Sequence, residues 1–143
     1  MTLEVNLPST GAVLYADTDQ IRQIITNLVC NAWESILDGE GTVYLTVLTA
    51  SPSEIGGTHR FPVDWQPNGK AYICLEVADT GSGIPAKDID NIFDPFYTNK
   101  FTGRGLGLPV VLGIVRAYDG VVTLISEPGE GSIFRVYLPG YGA

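Results

Sequence analysis

The feature that most constrains this chain is an apolar run that stops on a carboxylate and two glycines. Residues 71–78 read Ala-Tyr-Ile-Cys-Leu-Glu-Val-Ala, which predicts a buried strand. Asp79, Thr80, Gly81, Ser82, Gly83, Ile84 and Pro85 follow directly. A carboxylate accepts hydrogen bonds and donates none, so Asp79 suits an exocyclic amine such as that of adenine. Gly81 and Gly83 let the backbone turn sharply and lie close to a flat ring. By itself the pattern is equally a strand-ending turn, so the flanking segments decide what it means.

Length and charge narrow the classes. At 143 residues the chain is expected to be one domain, residues 1–143, with a core of its own. A net charge of −8 argues against non-specific nucleic-acid binding, and no nucleic-acid partner is expected. It also means that any phosphate must be held by local devices: glycine loops, helix N-termini, a metal ion or a few basic residues. No apolar run is long enough to span a bilayer and no leader is visible at the first residues, so a cytoplasmic location is expected. Cys30 and Cys74 both lie in apolar segments, which predicts reduced core thiols.

In chain order, residues 1–16 suggest two short strands, with Leu3, Val5 and Leu7 alternating. Asp17 and Gln20 resemble a capping box opening a helix to about Leu37, with Ile21, Ile24, Ile25, Leu28, Val29, Ala32 and Ile36 as its apolar stripe. Residues 42–50 predict a strand. Residues 51–69 carry Pro52, Gly56, Gly57, Pro62, Pro67 and Gly69, and predict a mobile insert loop or at most a loose hairpin. Pro85 to Ile92 predicts a short helix, Pro109 to Tyr118 another, and Val121 to Ser126 with Ser132 to Leu138 two more strands.

Three constellations carry chemistry. Asn27 and Asn31, four apart, share a helix face, and amide oxygens are neutral hard ligands suited to Mg²⁺. The competing reading is a solvated helix edge. Gly103, Gly105 and Gly107 resemble a phosphate loop that runs into a helix, whose positive dipole end favours an anion. Lys100 and Arg104 flank it as candidate phosphate cations, with ordinary surface charge as the alternative. Phe93, Phe96 and Tyr97 are either an aromatic cluster pinning a lid or plain core. His59, the single histidine, reads as a solvated loop residue.

Together these segments resemble the ATP-binding catalytic domain of sensor histidine kinases, within the gyrase, heat-shock chaperone, histidine kinase and mismatch-repair ATPase superfamily. Residues 27–32 resemble the N box, Asp79 to Gly83 the first glycine box and Phe93 to Lys100 the F box. Gly103 to Leu108 resembles the second glycine box and Gly129 to Phe134 the third. The F box and second glycine box look most like the multidomain, hybrid-sensor subgroup. Trp33 and Ser35 alter the Asn-Ala-x-Glu-Ala run common after the second asparagine.

The resemblance implies an α+β two-layer sandwich of the Bergerat type, a mixed and mostly antiparallel sheet of about five strands with about three helices on one face. It implies that Asn31 coordinates Mg²⁺ beside Asn27, and that Asp79 takes the adenine amine with Gly83 and Ser132 helping through water. Gly81, Ile84, Gly103, Gly105, Leu106, Gly107 and Leu108 complete the nucleotide set, with Lys100 and Arg104 as phosphate cations and a lid over about residues 97–105. The implied activity is transfer of the γ-phosphoryl of Mg-ATP to a histidine. That histidine lies on a separate helical dimerisation domain, with a response-regulator receiver domain downstream, and the isolated piece is expected to be monomeric. Hydrolytic relatives carry a glutamate where this chain has Asn27, and an amide takes no proton at neutral pH. The alternatives are a nucleotide-binding regulatory module without phosphotransfer, or an anti-sigma-type serine kinase.

Overall fold

Two largely apolar runs, residues 72–79 and 131–139, give the central strands, buried on both faces, and the rest of the sheet is laid against them. The structure, a computed structural model, describes residues 2–6, 16–36, 40–56, 59–67, 71–94 and 107–140. The strands among the described residues are β1 (Thr2–Asn6), β2 (Thr42–Ala50), β3 (His59–Phe61), β4 (Tyr72–Asp79), β5 (Val121–Glu127) and β6 (Gly131–Pro139). The helices among the described residues are α1 (Thr18–Ser35), α2 (Ala86–Ile89) and α3 (Gly107–Ala117), besides one 3₁₀ turn at Pro52–Glu54. The sheet runs β1-β2-β4-β6-β5-β3. Among the described strands only the β1–β2 pair is parallel. The mixed two-layer architecture is as expected, with six strands rather than about five.

The register sorts side chains onto the two sheet faces. On one face Val43, Leu75, Val77, Leu124, Phe134 and Val136 pack beneath the helices, against Ile24, Leu28 and Ala32 of α1 and Val111 and Val115 of α3. Each such side chain contributes roughly 1.5–3 kcal/mol by leaving water. α1 begins at Asp17, whose carboxylate accepts from the Asp19 amide at 2.8 Å. The expected capping box does not close, because Gln20 turns elsewhere: its Oε1 accepts from the Tyr118 hydroxyl at 2.5 Å. The same hydroxyl accepts from the Asp17 amide at 3.0 Å, so the end of α3 is tied to the start of α1.

The extra strand comes from the expected insert loop. β3 pairs with β5, and Phe61 packs its ring 4.5 Å from that of Phe93 in the main core. On the outer face Ile55, before β3, and Trp65, after it, pack in one cluster with Tyr72, Cys74 and Tyr137. The Trp65 indole donates to the Asp119 carbonyl at 2.9 Å, and an Arg60 guanidinium nitrogen to the Ile55 carbonyl at 3.0 Å. His59 is therefore a half-buried strand residue rather than a loop residue. Cys74 is a core thiol, its ionisation pushed up to about 12 by burial, but Cys30 lies exposed on α1 and is not. The second strand expected before Asp17 falls on residues outside those described, as do Phe96 and Tyr97.

Candidate functional site

Asp79 closes β4 between Val43 and Ser132 of its neighbouring strands, on the helix-covered face, and is only 7% exposed. The last turn of α1 ends beside it. The Ser35 hydroxyl donates to Asp79 Oδ1 at 3.0 Å and the Gly81 amide donates to the same oxygen at 2.9 Å. Burial pushes the Asp79 carboxyl above the ordinary carboxylate value, while the Gly81 amide, the Ser35 hydroxyl and the Ser132 amide pull the other way. An anionic acceptor with one oxygen already engaged is a directional partner for a ligand N–H donor.

The glycine turn after Asp79 is held on two sides. Against α1, a Cβ on Gly81 would stand 2.2 Å from Ser35 Oγ and 2.6 Å from the Ser35 carbonyl, which itself accepts from the Ser82 amide at 3.1 Å. Against the β5–β6 hairpin, the Gly129 amide donates to the Ser82 carbonyl at 2.7 Å and the Ile84 amide to Ser126 Oγ at 2.7 Å. Ser126 and Ser132 share a hydroxyl–hydroxyl bond of 2.9 Å, so the buried Ser132 beside Asp79 is linked to the Ile84 backbone.

The other end of the site lies where α1 meets α3. Gly107 opens α3, and a Cβ there would lie 3.9 Å from Asn27 Cβ. The side chain of Asn27 thus abuts a helix N-terminus, where unpaired amides and the dipole attract anions. Asn31 follows one turn along α1, half-buried like Asn27, and Ser35 one turn further, so these residues form one stripe from the α3 N-terminus to Asp79. Leu108 is buried in the main core, where its side chain serves packing. Lys100, Gly103, Arg104, Gly105 and Leu106, with the lid over 97–105, lie outside the described residues.

Among the described residues no group of three His, Cys, Asp or Glu could hold a metal ion. An ion at this site would draw on the Asn27 and Asn31 amide oxygens, water and ligand phosphates, a set that fits Mg²⁺. Ser35 and Ser126 are the polar residues that sequence reasoning left out of the site. Ser35 was within reach, since it continues the Asn27–Asn31 spacing. Ser126 depends on hairpin register, which no local pattern carries.

Comparison with known proteins gives the fold and the family. Over 140 residues the chain is 31% identical to sporulation kinase C of Bacillus subtilis, covering 97% of this chain and 28% of that protein. It is 36% identical over 126 residues to the sensor kinase CckA of Brucella abortus, covering 87% of this chain and 13% of that one. The fold superposes on a mycobacterial sensor histidine kinase, MprB, with a TM-score of 0.74 at 21% identity, covering 99% of this chain and 85% of that one. Full-length ShkA, solved in complex with AMPPNP, gives 0.72 at 28% identity, covering 99% of this chain and 26% of that one. Residues 16–141 match the family described as histidine kinase-, DNA gyrase B- and HSP90-like ATPases, and the chain belongs to that family.

Proposed function

We propose that this chain binds Mg-ATP and passes its γ-phosphoryl group to a histidine on a separate helical domain, as the catalytic part of a two-component sensor kinase. What carries the reading is the stripe on α1. It runs from a buried, donor-anchored carboxylate at the end of β4 to an asparagine pressed against the N-terminus of α3. The named relatives support it: each is a kinase, and the two curated ones match over nearly the whole of this chain.

In this site Asp79 accepts the adenine amine, and Gly81 and Gly83 bring the backbone against the ring. The α3 N-terminus, opened by Gly107, faces the phosphates, with Lys100, Gly103, Arg104, Gly105 and Leu106 completing their surroundings. Asn27 and Asn31 offer amide oxygens to Mg²⁺, which when bound neutralises charge on the phosphates. Asn27 takes up no proton, so water near it is not activated and transfer to a protein nucleophile is favoured over hydrolysis. Catalysis is then positioning and charge stabilisation, with a receiver domain as the later acceptor.

The test mixes the chain with a separately made helical acceptor domain of the same parent and γ-labelled ATP. Acid-labile label on the acceptor histidine is the expected result, lost in the Asp79→Asn variant. ATP binding by calorimetry without label on any histidine identifies a nucleotide-binding module instead, and undiminished binding by Asp79→Asn refutes the adenine role.

A further inference from the structure

We infer that Ser35 is a positioning residue for purine recognition: its hydroxyl, with the Gly81 amide, holds Oδ1 of Asp79 and so aims the second carboxylate oxygen at the exocyclic amine of the ligand. The inference rests on the nucleotide reading above. Ser35 is the last residue of α1, and its Oγ lies 2.7 Å from the Ala32 carbonyl as well as 3.0 Å from Asp79 Oδ1. A helical serine commonly spends its single proton on the carbonyl one turn back. Here a carboxylate competes for that proton, and an ionised acceptor is the stronger of the two. The Gly81 amide, 2.9 Å from the same oxygen, is a second donor from the turn after β4, so Oδ1 is engaged both from the helix end and from the turn. A carboxylate fixed through one oxygen cannot spin about its χ2, and the other oxygen keeps a set direction.

The backbone around Ser35 is equally committed. Its carbonyl takes the Ser82 amide at 3.1 Å, and only hydrogen fits on Gly81 beside it. The hydroxyl therefore sits at a fixed point against Asp79. An alanine at this position keeps the helix and the Ser82 bond but leaves the carboxylate with backbone amides only. A bond to a charged group of this kind corresponds to a factor on the order of 10 in binding.

The test compares two ligands on the whole chain by calorimetry in the presence of Mg²⁺: ATP, and purine riboside triphosphate, which lacks the exocyclic amine. Ser35→Ala is expected to weaken ATP binding about tenfold and to leave the purine riboside triphosphate unchanged. Ser35→Cys, similar in size but a weak donor, is expected to show the same split. Equal loss for both ligands would mark a structural residue and overturn the inference, as would no change for either. Wild-type protein that binds both ligands equally also overturns it, because the amine is then not read. Wild-type protein that binds neither overturns the nucleotide reading itself.

Discussion

Gly83 and Gly129 make a matched pair for testing how the glycine turn is built. Both hold positive φ, +73° and +83°. Alanine at either must adopt a left-handed backbone, at about 1–2 kcal/mol. They differ in space. A Cβ on Gly129 meets nothing within 4 Å, whereas one on Gly83 would stand 2.2 Å from the Glu127 carbonyl oxygen and 2.7 Å from its carbon. These are backbone atoms and cannot swing away. The hairpin must retreat, which stretches the Gly129–Ser82 bond of 2.7 Å and the Ile84–Ser126 bond of 2.7 Å. Each contributes about 1 kcal/mol. Gly83→Ala is therefore expected to lose roughly 3–4 kcal/mol and Gly129→Ala only about 1–2. Against a typical total of about 5–15 kcal/mol the difference is easily resolved. Urea unfolding followed by circular dichroism, with the slope of the transition unchanged, measures both. A midpoint shift for Gly83→Ala no larger than that for Gly129→Ala would refute the claim that the hairpin clamps this turn.

Three further outcomes are expected. Burial raises the Asp79 carboxyl above its ordinary 3.8 in the folded state, so the folded chain holds this proton longer than the unfolded one. Its contribution to stability thus falls as pH rises from that value through the folded-state titration. The urea midpoint of Asp79→Asn relative to wild type should accordingly climb with pH over that window, and a flat or falling difference would contradict the sign. Asn31→Ala should bind ATP with an affinity that Mg²⁺ no longer improves, and calorimetry showing the same Mg²⁺ gain as wild type would remove Asn31 from the metal site. Tyr118→Phe breaks the bond to Gln20 and leaves the Asp17 amide without its acceptor, at a cost of about 1–2 kcal/mol in urea melts, unless the tie between α3 and α1 adds nothing.

What the sequence disclosed followed from periodicity and punctuation. The apolar stripe of α1, the run before Asp79 and the hairpin around Gly129 each carry a local signal, and each element formed within a few residues of its expected bounds. The third β-strand was hidden because it is three residues long, between prolines and glycines. It owes its existence to β5 and to the contact of Phe61 with Phe93. The capping partner of Asp17 was misassigned for a similar reason: the Tyr118 hydroxyl, a hundred residues away, outcompetes the local bond for Gln20. In the candidate site, residue types spaced along one helix were legible. Ser35 continues that spacing, whereas Ser126 was hidden because its place is set by the register of β5 against β6.

Ser35 and Asn27 lie on one uninterrupted helix. They are eight positions apart, about 12 Å along the axis at 1.5 Å per residue. In the proposed site α1 therefore acts as a ruler, with the base read at one graduation and the metal seated at another. A nucleoside or its monophosphate docked at Asp79 falls short of the far mark, and only a longer anionic tail spans the two.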